Sequence, residues 1–223
     1  MTTVAQVKQV VQPLLQRNPD LALVGRMIVV RPVHHLLRGI YLARSSDPDD
    51  FVPTRTLSTM FQPAKRIGFS WGGRVHAPDG KWDINDASLM TMMCEQIEKE
   101  ALPPLRSITT IDEFVNYTSK ERFPHEYLDL YDLTKIFVDV ARGDLAAAGS
   151  ICNYLATDGA KKRYLTPRPD RYVRATTELC PLIAANDRAG LARLLHSYEA
   201  ESAKNLKLDK LWEPTPFPIE MES

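Results

Sequence analysis

The sequence predicts an α+β protein: an N-terminal helix, an antiparallel β-meander of about four strands and a covering helix, followed by an all-α region of two helical hairpins. Three observations support this prediction. An amphipathic stretch at the start is followed by short apolar and β-branched runs that prolines and polar turns separate. A longer helical pattern comes next. The second half then contains one helix–turn–helix pattern twice.

The first helix is predicted over residues 3–17, where six apolar residues share one stripe. Pro13 lies within that stripe and should kink the helix or end it early. Four runs of strand length follow, at 21–31, 35–44, 54–61 and 66–75. An antiparallel sheet of this size needs its apolar face covered, and the helices on either side of it in the sequence are the available covers.

The covering helix is predicted over residues 86–101, with Asp86 as its N-cap. Pro103 and Pro104 should end this helix, because proline has no backbone N–H to donate. Residues 1–118 are therefore predicted to form one α+β sheet domain.

The helical region is organised around a duplicated stretch. Residues 133–155 and 176–198 align at an offset of 43 positions. The aligned turn residues are Gly143 with Asn186 and Asp144 with Asp187. Glycine and asparagine tolerate the left-handed conformation that closes a helix, and an aspartate can cap the helix that follows. Each copy is therefore predicted to be a pair of helices joined by a tight turn.

The two hairpins are expected within residues 126–205, followed by an extended, proline-containing tail over 206–223. Paired hairpins of this kind resemble tetratricopeptide-type and related helical repeats, which generally bind other proteins. The offset of 43 residues differs from the period of about 34 in the tetratricopeptide family. The Trp/Gly/Tyr signature of that family is also absent, and we assign no family from the sequence.

Composition and cysteine usage predict a cytoplasmic, bacterial-type protein. Apolar residues make up 44% of the chain, which is ordinary for a globular protein. No apolar run reaches the roughly 18 residues of a membrane span, and the first residues do not resemble a secretory signal. The chain has three cysteines, an odd number, and they show no CxxC spacing: Cys94, Cys152 and Cys180. We therefore expect free thiols packed as small apolar groups.

Charge is unevenly distributed along the chain. Residues 21–82 contain nine Lys or Arg against four Asp, whereas residues 83–223 contain 17 basic and 23 acidic residues. Such asymmetry favours attraction within one molecule or between two copies, and it also provides a surface for an anionic partner. The most basic stretch is the loop predicted at 159–172, where cations alternate with tyrosines, as suits phosphate contact and base stacking. The candidate contacts with a nucleic acid or another partner are Lys161, Lys162, Arg163, Tyr164, Arg168 and Arg171 in this loop, with Arg38 and Arg55 on the strands.

Motifs that carry chemistry are sparse. The chain contains no HExxH, GxSxG, GxGxxG or Walker phosphate loop, and we expect no catalytic residue, cofactor or metal. The sequence therefore predicts a non-enzymatic binding or adaptor protein that acts through protein–protein contacts or self-association. One alternative is a nucleic-acid-binding protein that uses the basic residues. The other is an enzyme with a dispersed site near His34, His35 and His76, which would need a carboxylate such as Asp83.

Overall fold

The computed structural model describes residues 2–47, 49–69, 71–119, 132–166 and 169–221. It is an α+β protein in which an N-terminal helix and an antiparallel sheet precede a helical region, and the predicted fold class is confirmed. The chain divides into two compact units. The first comprises Met1–Thr59, Arg66–Thr109 and Lys210–Glu213, and the second comprises Met60–Lys65, Thr110–Asp209 and Pro214–Ser223.

Helix α1 spans Val4–Arg17 and begins with a capping box. The Thr3 hydroxyl accepts a hydrogen bond from the Gln6 N–H at 3.2 Å, and the Gln6 side chain accepts one from the Thr3 N–H at 2.7 Å. Pro13 does not end the helix early, because Val7, Val11 and Leu14 on the same stripe are fully buried and hold the helix in place.

The sheet is antiparallel with strands in sequential order, and its last strand pairs with the fourth. The strands are β1 (Leu21–Val24), β2 (Met27–Val30), β3 (Leu36–Arg44), β4 (Asp50–Thr59), β5 (Gly73–Arg74) and β6 (Trp82–Asp83). The first predicted run is a hairpin of two strands, because Gly25 turns the chain at a φ of 60°. Strands β3 and β4 form the long central pair, with Leu36 opposite Thr59 and Arg44 opposite Phe51.

The fourth predicted run, 66–75, contributes only the two residues of β5 as strand. The Thr56 hydroxyl on β4 donates to the Gly68 carbonyl at 2.5 Å, and the Phe69 ring lies 5.5 Å from the ring of Tyr41 on β3. The apolar alternation in this run therefore reflects residues that cover the sheet, not residues that extend it.

Three helical segments complete the first unit. Helix α2 (Ala87–Gln96) is capped by Asp86 as predicted, and a π-helical turn (Ile97–Ala101) joins it to α3 (Leu102–Arg106). The two prolines expected to end the helix lie in the first turn of α3, where a missing N–H costs little. Helix α1 packs on β1 and on α2, α2 packs on β6, and α3 packs on β3, so helices cover the sheet.

The second unit is helical. Its helices are α4 (Ile111–Tyr117), α5 (Asp132–Arg142), α6 (Leu145–Leu155), α7 (Asp158–Tyr164), α8 (Pro169–Arg174), α9 (Cys180–Ala184), α10 (Arg188–Leu206) and α11 (Pro218–Met221). A π-helical turn (Ala175–Leu179) joins α8 to α9. Helix α5 is central, since it packs against α4, α6, α10 and α11. The start of the predicted hairpin region, residues 126–131, lies outside the described residues.

The predicted extended tail is corrected at both ends. Residue 206 is still part of α10, and Pro218–Met221 is helical. Proline is favoured at the first position of a helix, so Pro218 is compatible with α11. Phe217 is fully buried with its ring 5.6 Å from that of Phe61, and Glu220 lies 2.9 Å from the His196 ring. The segment that contains Phe217 and Glu220 is therefore anchored within the second unit.

Candidate functional site

The turns of the two helical hairpins have the same geometry. Gly143 and Asn186 adopt left-handed conformations with φ of 86° and 51°. The N–H of the following residue, Asp144 or Asp187, donates to the carbonyl five positions earlier at 2.9 Å and 3.0 Å respectively. Each aspartate carboxylate accepts from the N–H three positions later, at 3.0 Å and 2.8 Å. The predicted turns, with their caps, are confirmed.

A disulfide joins the two hairpins. It connects Cys152 of α6 with Cys180 of α9, whose Cα atoms are 5.6 Å apart. The prediction that all cysteines are free is therefore wrong, and Cys94 is the free one. Two cysteines 28 positions apart give no local signal of pairing. It is the packing of α6 on α9 that brings them together.

The basic stretch predicted as a loop at 159–172 is largely helical. Its exposed cations, all on α7, are Lys161, Lys162 and Arg163. Helix α7 is capped by Thr157, whose hydroxyl accepts from the Ala160 N–H at 3.3 Å. Ala160 and Tyr164, four residues apart, are its buried positions. The cap and this apolar spacing favour a helix despite the charge of the segment.

The tyrosines of this stretch do not offer the stacking surface that base recognition requires. Tyr164 is 5% exposed and Tyr172 is 7% exposed. The Tyr172 hydroxyl donates to the Leu155 carbonyl at 2.7 Å, which fixes that ring against the end of α6. Arg171 is half-buried, and Arg168 lies outside the described residues. Of the predicted contacts here, the α7 cations are the ones that reach solvent.

Large apolar side chains are exposed around α7. Tyr154 is 37% exposed, Leu165 47% and Val173 44%. Tyr154 lies on α6 and Val173 on α8, and the hydrogen bond from the Tyr172 hydroxyl to the Leu155 carbonyl holds α8 beside the end of α6. We use the name 154–173 surface for these three exposed apolar residues together with Lys161, Lys162 and Arg163. It combines apolar and cationic side chains.

The two strand arginines do not form an exposed basic face. Arg38 is 5% exposed, and its guanidinium donates to the Pro32 carbonyl at 2.9 Å. Arg55 is half-buried, with its guanidinium against Gly73 of β5. Arg38 is therefore buried and not available as a surface contact, whereas Arg55 remains partly exposed.

The strand register keeps His76 apart from His34 and His35. His34 and His35 directly precede β3. His76 follows Val75, whose N–H bonds to β4 opposite Leu42, towards the far end of β3. At about 3.3 Å per residue, the separation along the strand is roughly 20 Å. Among the residues that the structure describes, no group of three His, Cys, Asp or Glu side chains is arranged to hold a metal ion.

A cleft in the first unit was not visible in the sequence. It has a volume of about 450 Å³ and lies between α1 and α2. Its lining includes Gln9, Val10, Pro13, Ala87, Met90 and Cys94. Met90 and Cys94 are buried and the others are partly or fully exposed, so the α1–α2 cleft has an apolar interior with a polar rim.

The thiol in this cleft is not suited to nucleophilic chemistry. Burial raises the pKa of Cys94 to about 11, so the group is a neutral thiol at physiological pH. Its sulfur lies 3.5 Å from the Val10 carbonyl, to which the thiol donates. The charged groups at the rim are paired with neighbours: Arg17 with Glu98 at 2.8 Å and Glu95 with Lys99 at 3.3 Å.

Comparisons of the chain with protein-family models, with curated proteins and with solved structures found no match. Within the described residues, no helix combines the length and apolar character needed to span a bilayer.

Proposed function

We propose that the protein is a non-enzymatic binding protein whose 154–173 surface contacts an acidic segment of another protein. The observation that carries this proposal is the incomplete burial of an apolar helix. The sequence of α6, LAAAGSICNYL, is almost entirely apolar, yet only Ala148 and Leu155 are buried. Leu145 and Ile151 are half-buried and Tyr154 is exposed, and apolar surface of this kind is stabilised when a partner covers it.

The charges around α6 define the chemistry of the partner. Residues 158–174 contain six Lys or Arg and two Asp. Lys161 lies 3.3 Å from the Asp158 carboxylate, but both groups are largely exposed, so this pair holds the lysine only weakly. An acidic segment with apolar residues along one side would match both the cations and the exposed Tyr154, Leu165 and Val173.

Two features favour a protein partner over a nucleic acid. Tyr164 and Tyr172 are buried, so they provide no face on which bases could stack. The carboxylates of Asp158 and Asp170 lie among the cations, and Asp170 already pairs with Lys65 at 2.6 Å. Carboxylates at these positions repel a continuous phosphate backbone, whereas a polypeptide can place its acidic side chains between them.

The test uses the full chain and two probes: a synthetic amphipathic peptide of alternating glutamate and leucine segments, and a single-stranded DNA of mixed sequence. The double variant Lys161→Glu, Lys162→Glu should weaken peptide binding about ten-fold, since it replaces attraction by repulsion. The control is Arg193→Glu, Lys204→Glu, which changes the net charge equally at exposed sites on α10. This control should bind the peptide nearly as well as the wild type.

The apolar part of the surface is tested separately. Tyr154→Ser should weaken peptide binding about five-fold by removing a ring from the interface, whereas Met221→Ser, at a 70% exposed position, should not. Equal losses in the α7 and α10 charge variants would mean that only net charge matters, which would contradict the proposal. Tighter binding of the DNA than of the peptide, with a steep salt dependence, would favour the nucleic-acid alternative instead.

A further inference from the structure

We propose that the α1–α2 cleft is a binding site for a small, uncharged molecule with a largely apolar body and a hydrogen-bond donor. The site belongs to the first unit and shares no residue with the 154–173 surface, so it is independent of the function proposed above. Its volume of about 450 Å³ falls within the range of about 300–1,000 Å³ found for small-molecule sites.

The electrostatics of the cleft favour a neutral ligand. Arg17 donates two hydrogen bonds to Glu98, at 3.1 Å and 2.8 Å, and Glu95 pairs with Lys99. Both pairs are partly exposed and therefore weak, so they leave no strong unpaired charge at the rim to attract an ion. In the interior, the Cys94 thiol is neutral and lies beside Met90, so the buried part of the site is apolar. Burying a charge there without a partner would be costly.

An acceptor for the ligand comes from the backbone of α1. In an α-helix, the carbonyl of Gln9 would accept from the N–H of residue 13, but Pro13 has no N–H. Both residues line the cleft. Gln9 is exposed, and no hydrogen bond to its side chain occurs within the part of the chain that the structure describes. We infer that Gln9 supplies the acceptor for a donor on the ligand, through the main-chain carbonyl that Pro13 leaves without a helical partner.

The proposal is tested with a matched pair of fluorescent probes. N-phenylnaphthylamine is uncharged, apolar and carries one N–H, and anilinonaphthalene sulfonate has the same frame with an added negative charge. Fluorescence titration of the full chain should show saturable binding of one neutral probe per molecule. The sulfonate should bind at least about ten-fold more weakly. Absence of saturable binding of the neutral probe would overturn the proposal.

Substitutions that fill the cleft locate the probe. Ala87→Phe places a ring in the cleft from α2, and the control Met92→Phe adds the same ring at an exposed position on α2 outside the lining. Ala87→Phe should lower probe affinity about ten-fold, and the control should leave it unchanged. Gln9→Phe, with Lys8→Phe as its control, repeats the test from α1, so the outcome does not depend on one variant folding. Equal affinities in filled and control variants would refute the site.

The backbone acceptor has its own test. Pro13→Ala restores the N–H that bonds to the Gln9 carbonyl, and should weaken binding of N-phenylnaphthylamine about five-fold, the value of one hydrogen bond. The N-methyl derivative of the probe has no N–H, and its affinity should be the same in Pro13→Ala and the wild type. A loss of equal size for both probes would assign the effect to altered helix shape and overturn the role of the carbonyl.

Discussion

Replacing Asp144 by alanine should lower the free energy of unfolding of the second unit by about 1 kcal/mol. The Asp144 carboxylate accepts a hydrogen bond from the Ala147 N–H at 3.0 Å, and alanine would leave that N–H to water. Asp187→Ala should cost about the same, because its carboxylate accepts from the Gly190 N–H at 2.8 Å. The caps are in different hairpins, so the double variant should lose about 2 kcal/mol.

Two signals in one denaturation experiment follow the two units separately. Trp71, Trp82 and Trp212, which are all the tryptophans of the chain, belong to the first unit. Fluorescence therefore reports on the sheet, whereas far-ultraviolet circular dichroism reports mainly on the second unit, with its eight helices among the described residues. The cap variants should move the circular dichroism transition in urea and leave the fluorescence transition in place. In a thermal melt, each should lower the midpoint by about 4 °C.

Two controls separate the cap from the loss of a charge. Asp144→Asn keeps a side-chain acceptor at the cap and should remain within about 0.5 kcal/mol of the wild type. Asp209→Ala removes an exposed carboxylate that caps no helix and should also be nearly neutral. If asparagine at position 144 costs as much as alanine, or if neither alanine variant has an effect, hydrogen-bonded caps do not stabilise these turns and the reasoning fails.

Three further outcomes are expected. Reduction of the Cys152–Cys180 disulfide should lower the stability of the second unit by about 3 kcal/mol, because it opens a loop of 28 positions. Circular dichroism melts with and without dithiothreitol measure this loss. A variant with serine at both positions should show the same melt with and without dithiothreitol. Phe217→Ala should cost about 3 kcal/mol in the same assay, since the ring is fully buried. The hydrogen bonds from Arg106 lower the pKa of Asp20 in the folded protein. The ionised Asp20 carboxylate therefore stabilises the fold above about pH 4, and this stabilisation is lost as the pH falls through the lowered pKa of the folded state. Asp20→Asn should remove that part of the acid sensitivity, at most about 1 kcal/mol after solvent screening, as tryptophan fluorescence would show.

The features predicted correctly are those that short-range chemistry determines. A left-handed residue followed by an aspartate is sufficient to close one helix and cap the next, which is why Gly143 and Asn186 could be identified without tertiary information. The N-cap at Asp86 also depends only on residues close in sequence. Its carboxylate accepts hydrogen bonds from the N–H groups of Ser88 and Leu89, as predicted. The fold class follows from periodicity, which changes clearly between the strand runs and the helical half.

The incorrect predictions concern residues whose environment is determined by distant parts of the chain. Arginine is usually exposed, but Arg38 is buried, and its guanidinium donates a hydrogen bond to the Pro32 carbonyl. The basic segment at 159–172 is predicted as a loop because it lies between the two hairpins, although Ala160 and Tyr164 have helical spacing. The α1–α2 cleft depends on helices about 70 positions apart in the sequence. Pro13 and Cys94 both line this cleft. Neither residue indicates a cleft in the sequence, because the cleft exists only once α1 and α2 pack together.

The duplication also distinguishes residues that build the hairpin from residues that are available for binding. The turns of both copies are the same, but their second helices differ. Helix α10 buries eight of its 19 residues, whereas α6 buries two of its 11. At the aligned position, Leu195 of α10 is fully buried and Cys152 of α6 is bonded to Cys180. Since the disulfide and two buried residues already hold α6 in place, the fold does not require a large aromatic side chain on its exposed side. Tyr154 can therefore be exposed without weakening the hairpin, and it is available for the contact proposed above.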